Sequence, residues 1–105
     1  MKILDHEPQQ WFLALDGDAV LLDVICSHGA VDYDFQIELN ESEKAAYAKG
    51  GHTYLNSLAH SIHYSAPGVT GNSSPYKSRK LEAAKAAKMQ ASILSWVRQR
   101  EAKED

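Results

Sequence analysis

The 105-residue chain has one cysteine, Cys26, three prolines, and no apolar run near the roughly 20 residues that cross a bilayer. The lone cysteine excludes an intramolecular disulfide framework and a CxxC zinc site. The opening MKILDHEPQQ carries an acid and a proline where a signal peptide would be apolar, so a cytoplasmic location without membrane contact is expected. HExxH, GxSxG, a phosphate loop and a paired-carboxylate signature are missing, which leaves an enzyme without support and no cofactor or catalytic residue to name.

Apolar types make up 44% of the residues, enough at this length for one small core and a single domain spanning 1–105. The net charge of −3 conceals a division. Residues 1–43 carry ten acids against Lys2 alone, while residues 44–105 carry ten bases against four acids.

The segment VDYDFQIEL (31–39) alternates strictly, with Val31, Tyr33, Phe35, Ile37 and Leu39 on one face and Asp32, Asp34, Gln36 and Glu38 on the other. Together with AVLLDVICS (19–27) it predicts a hairpin turning at His28-Gly29, which sets Cys26 against Val31, Val24 against Tyr33 and Asp23 against Asp34. QQWFLALD (9–16) reads either as a helix starting at Pro8 or as a strand turning at Asp16-Gly17; the strand places Trp11 and Leu13 on the inner face with Leu22.

Asn40-Glu41-Ser42-Glu43 has the form of a capping box and starts a helix, which Gly50-Gly51 should bend or break before it continues to about Tyr64. Tyr54, Leu55, Leu58 and Ile62 follow helical spacing as core positions. Residues 65–75 read as a flexible loop. A last helix, capped by Ser74 or Ser78, runs to about Arg100 with a stripe of Leu81, Ala86, Met89, Ile93, Leu94, Trp96 and Val97. The expected class is α+β: a small antiparallel sheet, hairpin or three-stranded meander, followed by two helices packed on one face.

Three features could carry function. On the outer sheet face, Leu21 and Ile25, with Phe12 if the first strand forms, make an apolar centre bounded by Asp23, Asp32, Asp34 and Glu38. Like charges across a strand pair destabilise a sheet, so such a face suits a partner supplying lysines and arginines. The competing reading is a solvated face, or a helix lying over Leu21 and Ile25. Two such faces would repel, so a monomer or weak homodimer is expected.

The basic stretch Lys77, Arg79, Lys80, Lys85 and Lys88 has no interleaved aromatics and reads as a solvated helix face, not a nucleic-acid surface. His52, His60 and His63 offer the alternative of a small metal-binding protein or enzyme, although an i, i+3 pair needs further ligands and no metal site is assigned. Cys26 points to the core and His28 to the turn, which separates thiol from base.

Leu22, Asp23, Val24, Cys26 and Ser27 in an LDVxCS strand, Leu39-Asn40 at the end of the next, and Tyr54, Leu55, Leu58 and Ala59 in a YLxxLA helix segment form a pattern across residues 20–62. This stretch, about two fifths of the chain, resembles bacterial immunity proteins of polymorphic toxin and contact-dependent inhibition systems. The resemblance implies a cytoplasmic protein that neutralises a cognate toxin by tight binding. Many such toxins are basic, and an acidic sheet face would compete for their cationic groups.

Overall fold

The computed structural model describes residues 1–28, 31–69 and 73–104. Four strands, β1 (Lys2–Glu7), β2 (Trp11–Asp16), β3 (Ala19–His28) and β4 (Val31–Glu38), form an antiparallel meander in sequence order. Two helices follow, α1 (Glu41–Ser65) and α2 (Ala83–Glu104), with one 3₁₀ turn at Lys77–Arg79 between them. The α+β class and the order of sheet then helices agree with the sequence reading.

Strand alternation divides the apolar residues between two faces. Trp11, Leu13, Leu22, Val24, Cys26, Phe35 and Ile37 point inward and pack with Leu39 against Leu55, Leu58, Ala59 and Ile62 of α1. Trp11 is fully buried and satisfies its indole by donating from Nε1 to Asn56 Oδ1 at 2.9 Å. Cys26 sits in this core, and burial pushes its thiol up to about 11, far from thiolate chemistry at neutral pH.

The capping box forms as expected: Asn40 Oδ1 accepts from the Glu43 amide at 2.8 Å, and Glu43 Oε1 accepts from the Asn40 amide at 2.9 Å. Arg79 then clamps Glu43 through two guanidinium nitrogens and donates to the Glu38 carbonyl at 2.8 Å. The expected bend in α1 falls at Gly51, whose φ of +60° and ψ of −143° lie outside the helical region.

Four expectations need correction. First, the strand alternative for the 9–16 segment holds, over Trp11–Asp16, but the sheet gains a fourth strand, β1, beyond the expected hairpin or three-stranded meander. Irregular pairing between Ile3 and Asp5 hides β1's alternation. Second, the β3–β4 register is displaced by two: Cys26 faces Tyr33, Asp23 faces Gln36, and Ile25 faces Asp34. An even displacement keeps every side chain on its expected face, so the apolar pattern cannot tell the two registers apart. The proposed turn residue Gly29 lies outside the described residues.

Third, the last helix begins at Ala83, after the 3₁₀ turn, with neither Ser74 nor Ser78 as its cap. Fourth, the helices do not share a face. Helix α2 lies across the outer side, where Met89 and Ile93 pack with Leu81 on Ala14, Leu21, Ala19, Ile3 and Met1. The sheet is therefore the middle of three layers. Of the expected 65–75 loop, residues 70–72 lie outside the described residues; Ser65 and Ser74 bond through their hydroxyls at 2.7 Å, and the Gly68 amide donates to Tyr33 Oη at 3.0 Å.

Candidate functional site

The position of α2 redistributes the charges on which the sequence reading rests. Lys88 pairs with Asp16 at 3.2 Å, Lys85 approaches Glu38 at 3.9 Å, and Arg79 holds Glu43. The basic second part of the chain is thus a partner of its acidic first part. Toward its far end α2 passes over β2 and β1, where Trp96 meets the rings of Phe12 and His6 edge-on and Arg100 stacks on Trp96 at 4.8 Å. This course leaves the hairpin end of β3 and β4 beyond the helix.

The six predicted contact residues meet different fates. Leu21 is buried beneath α2, so it is core and cannot touch a partner. Asp23 is buried as well, at 1% exposure. Glu38 is exposed but already faces Lys85. Asp32 and Asp34 stay exposed and Ile25 is half-buried. Asp32 accepts from Ser27 Oγ at 2.5 Å, and among the described residues no base lies within ion-pair distance of Asp23, Asp32 or Asp34.

A cavity of about 320 Å³ opens where α2 leaves the sheet, lined by Phe12, Asp23, Ile25, Asp34, Gln90, Ile93 and Leu94. Gln36 Nε2 donates to Asp23 Oδ2 at 3.0 Å, whereas Asp23 Oδ1 has no hydrogen-bond partner among the described residues. Burial pushes the Asp23 carboxyl up to about 7, opposed by the Gln36 hydrogen bond and reinforced by the Asp34 charge. Desolvation raises Asp34 too. Sequence reasoning missed Gln90, Ile93 and Leu94 here, because they belong to a helix it placed elsewhere; Leu94 is 57% exposed at the rim.

A scan against protein-family models gives no match, and no curated protein or solved structure matches the chain. No helix among the described residues is long and apolar enough to cross a membrane.

The candidate histidines occupy three separate settings. His60 stacks on Tyr64, and His63 Nδ1 lies 3.5 Å from the Ile25 carbonyl. His52, just past the Gly51 bend, lies 3.0 Å through Nδ1 from Asp5 and 2.7 Å through Nε2 from Glu7, tying α1 to the edge strand. Among the described residues no group of three or more His, Cys, Asp or Glu is arranged for a metal ion.

Glu7 and Asp5 raise the His52 pKa above its ordinary value of 6.5. A raised folded-state value means that the latch contributes fully below pH 6.5 and is lost as pH rises through the folded value. The melting-temperature gap between the wild type and His52→Gln is therefore expected to be wider at about pH 6 than at about pH 9. An equal gap at both pH values would show that the imidazole acts uncharged.

Proposed function

We propose that this chain is a non-enzymatic, cytoplasmic binding protein of the immunity type, which neutralises a cognate bacterial toxin domain through the hairpin end of its outer sheet face. The supporting observation is the uneven neutralisation of that face: α2 supplies Lys85 and Lys88 to Glu38 and Asp16 but, among the described residues, no base to Asp32 or Asp34. Both carboxylates stand exposed, and Asp34 lies beside half-buried Ile25 and exposed Leu94. An apolar centre with an acidic rim suits a basic protein surface, the charges steering encounter and the apolar side chains anchoring it. Lysine-rich and arginine-rich toxins that act on nucleic acid present such a surface.

The test is co-expression with the C-terminal domain encoded by the gene immediately upstream. This chain should restore growth to cells producing that domain and form a complex with it. The double variant Asp32→Ala, Asp34→Ala should bind with about tenfold slower association and a flatter salt dependence. No protection by the wild type, or an unchanged rate and salt slope in the variant, overturns the reading.

A further inference from the structure

The geometry points to the cavity between α2 and the β3–β4 hairpin as a receptacle for one cationic side chain of a protein partner, with Asp23 and Asp34 taking the charge and apolar residues enclosing the stem. The inference takes from the proposed function only that the partner is a protein with basic side chains.

Three observations meet here. Asp23 is 1% exposed and lines the cavity with Oδ1 unpartnered, although buried carboxylate oxygens normally find donors. Asp34 provides a second carboxyl at the same opening, and neither acid has a base within ion-pair distance among the described residues. The remaining wall is largely hydrocarbon, from Phe12, Ile25, Ile93 and Leu94.

That combination selects the ligand's chemistry. Two carboxyls, one of whose oxygens already accepts from Gln36, together with the Gln90 amide fall short of the six or more oxygens a hard divalent ion takes. A lysine or arginine side chain fits better, because its methylenes lie along apolar surface while its charged head reaches the acids. The volume of about 320 Å³ lies at the lower end of ligand cavities, roughly 300–1,000 Å³, and suits a side chain better than a larger molecule. Asp23 Oδ1 has almost no accessible surface, so the occupant must displace the rim, and the exposed Leu94 is the rim residue freest to move.

The probes are n-butylammonium and n-butylguanidinium chloride, with n-butanol as the neutral control, each titrated into the purified protein at constant ionic strength. Methyl resonances of Ile25, Ile93 and Leu94 report binding. Either cation should shift them saturably and bind about tenfold or more tightly than butanol, as a charge-assisted bond to a buried carboxylate requires. Loss of about tenfold in affinity in Asp23→Asn or in the rim variant Asp34→Asn supports the site. Equal binding of butanol, absence of saturable shifts, or wild-type affinity in both variants overturns it. A negative outcome removes the side-chain receptacle alone, since toxin neutralisation by the exposed carboxylates is read by growth and complex formation.

Discussion

Asp23→Asn is expected to stabilise the protein at pH 8 by about 2–3 kcal/mol and to remove a fall in stability that the wild type shows between about pH 4 and pH 7. The Asp23 carboxyl moves from 3.8 to about 7 on folding, chiefly through burial. At about 1.4 kcal/mol per pH unit, ionising it inside the fold costs roughly 4 kcal/mol. An asparagine avoids that cost and can still accept from Gln36, but its amide would sit where Asp23 Oδ1 finds no donor, returning about 1–2 kcal/mol.

The sign is opposite to that of an ordinary paired carboxylate. A raised folded value means that the native state keeps a proton the unfolded chain has lost, so stability declines from pH 3.8 upward and levels off above pH 7. Glu43 acts the other way: although burial raises its carboxyl, the Arg79 and Asn40 hydrogen bonds prevail and hold it below the ordinary 4.5. Its contribution is lost as pH falls. The difference between variant and wild-type urea curves isolates Asp23, because both chains keep Glu43 and His52. Parallel curves from pH 4 to pH 8 would mean that Asp23 ionises in the fold without cost. A carboxylate held against the interest of stability is also the kind of group a cation site requires, which ties this measurement to the cavity.

How far the sequence could be read depended on whether a signal was local. The β4 alternation, the Asn40–Glu43 cap and the Gly51 bend each involve residues within a turn or strand of one another, and each is found. Strand β1 escaped because Asp5 and Glu7 turn inward toward His52, a partner more than forty residues away, so no apolar period marks them. The β3–β4 offset changed no face but changed the meaning of Asp23, which meets Gln36 instead of confronting Asp34.

The face chosen by α2 was the least legible feature, since the stripe of Met89, Ile93 and Trp96 fits either side of a sheet. The pointer lay in the sheet itself. Phe12, Ala14, Leu21 and Ile25 make its outer side too apolar to be left wholly to water, and the charge division supplied a basic helix to cover it. Asp32 and Asp34 remained as candidates because they lie beyond the helix's course, while Leu21 and Glu38 were taken by it.

The two layers should then separate under stress, and Met89→Ala is expected to show it. The inner core joins twelve buried residues and includes Trp11, whereas the outer cluster has only Ala14, Leu21, Leu81 and Met89. Met89 is the fully buried anchor of α2 in that cluster, with Ile93 only partly buried beside it. Removing its side chain should cost about 2–5 kcal/mol, which is comparable to what so small a cluster can contribute. Surface ion pairs such as Lys88–Asp16 add little to hold the helix. Hydrogen exchange should therefore show α2 amides losing protection by about two to three orders of magnitude or more, while α1 and the central strands β2 and β3 stay protected. Uniform loss of protection across both layers would instead make α2 part of one cooperative unit with the inner core. The cavity lies along this weaker seam, so a motion of α2 that opens a path to Asp23 costs less than one that breaks the inner core.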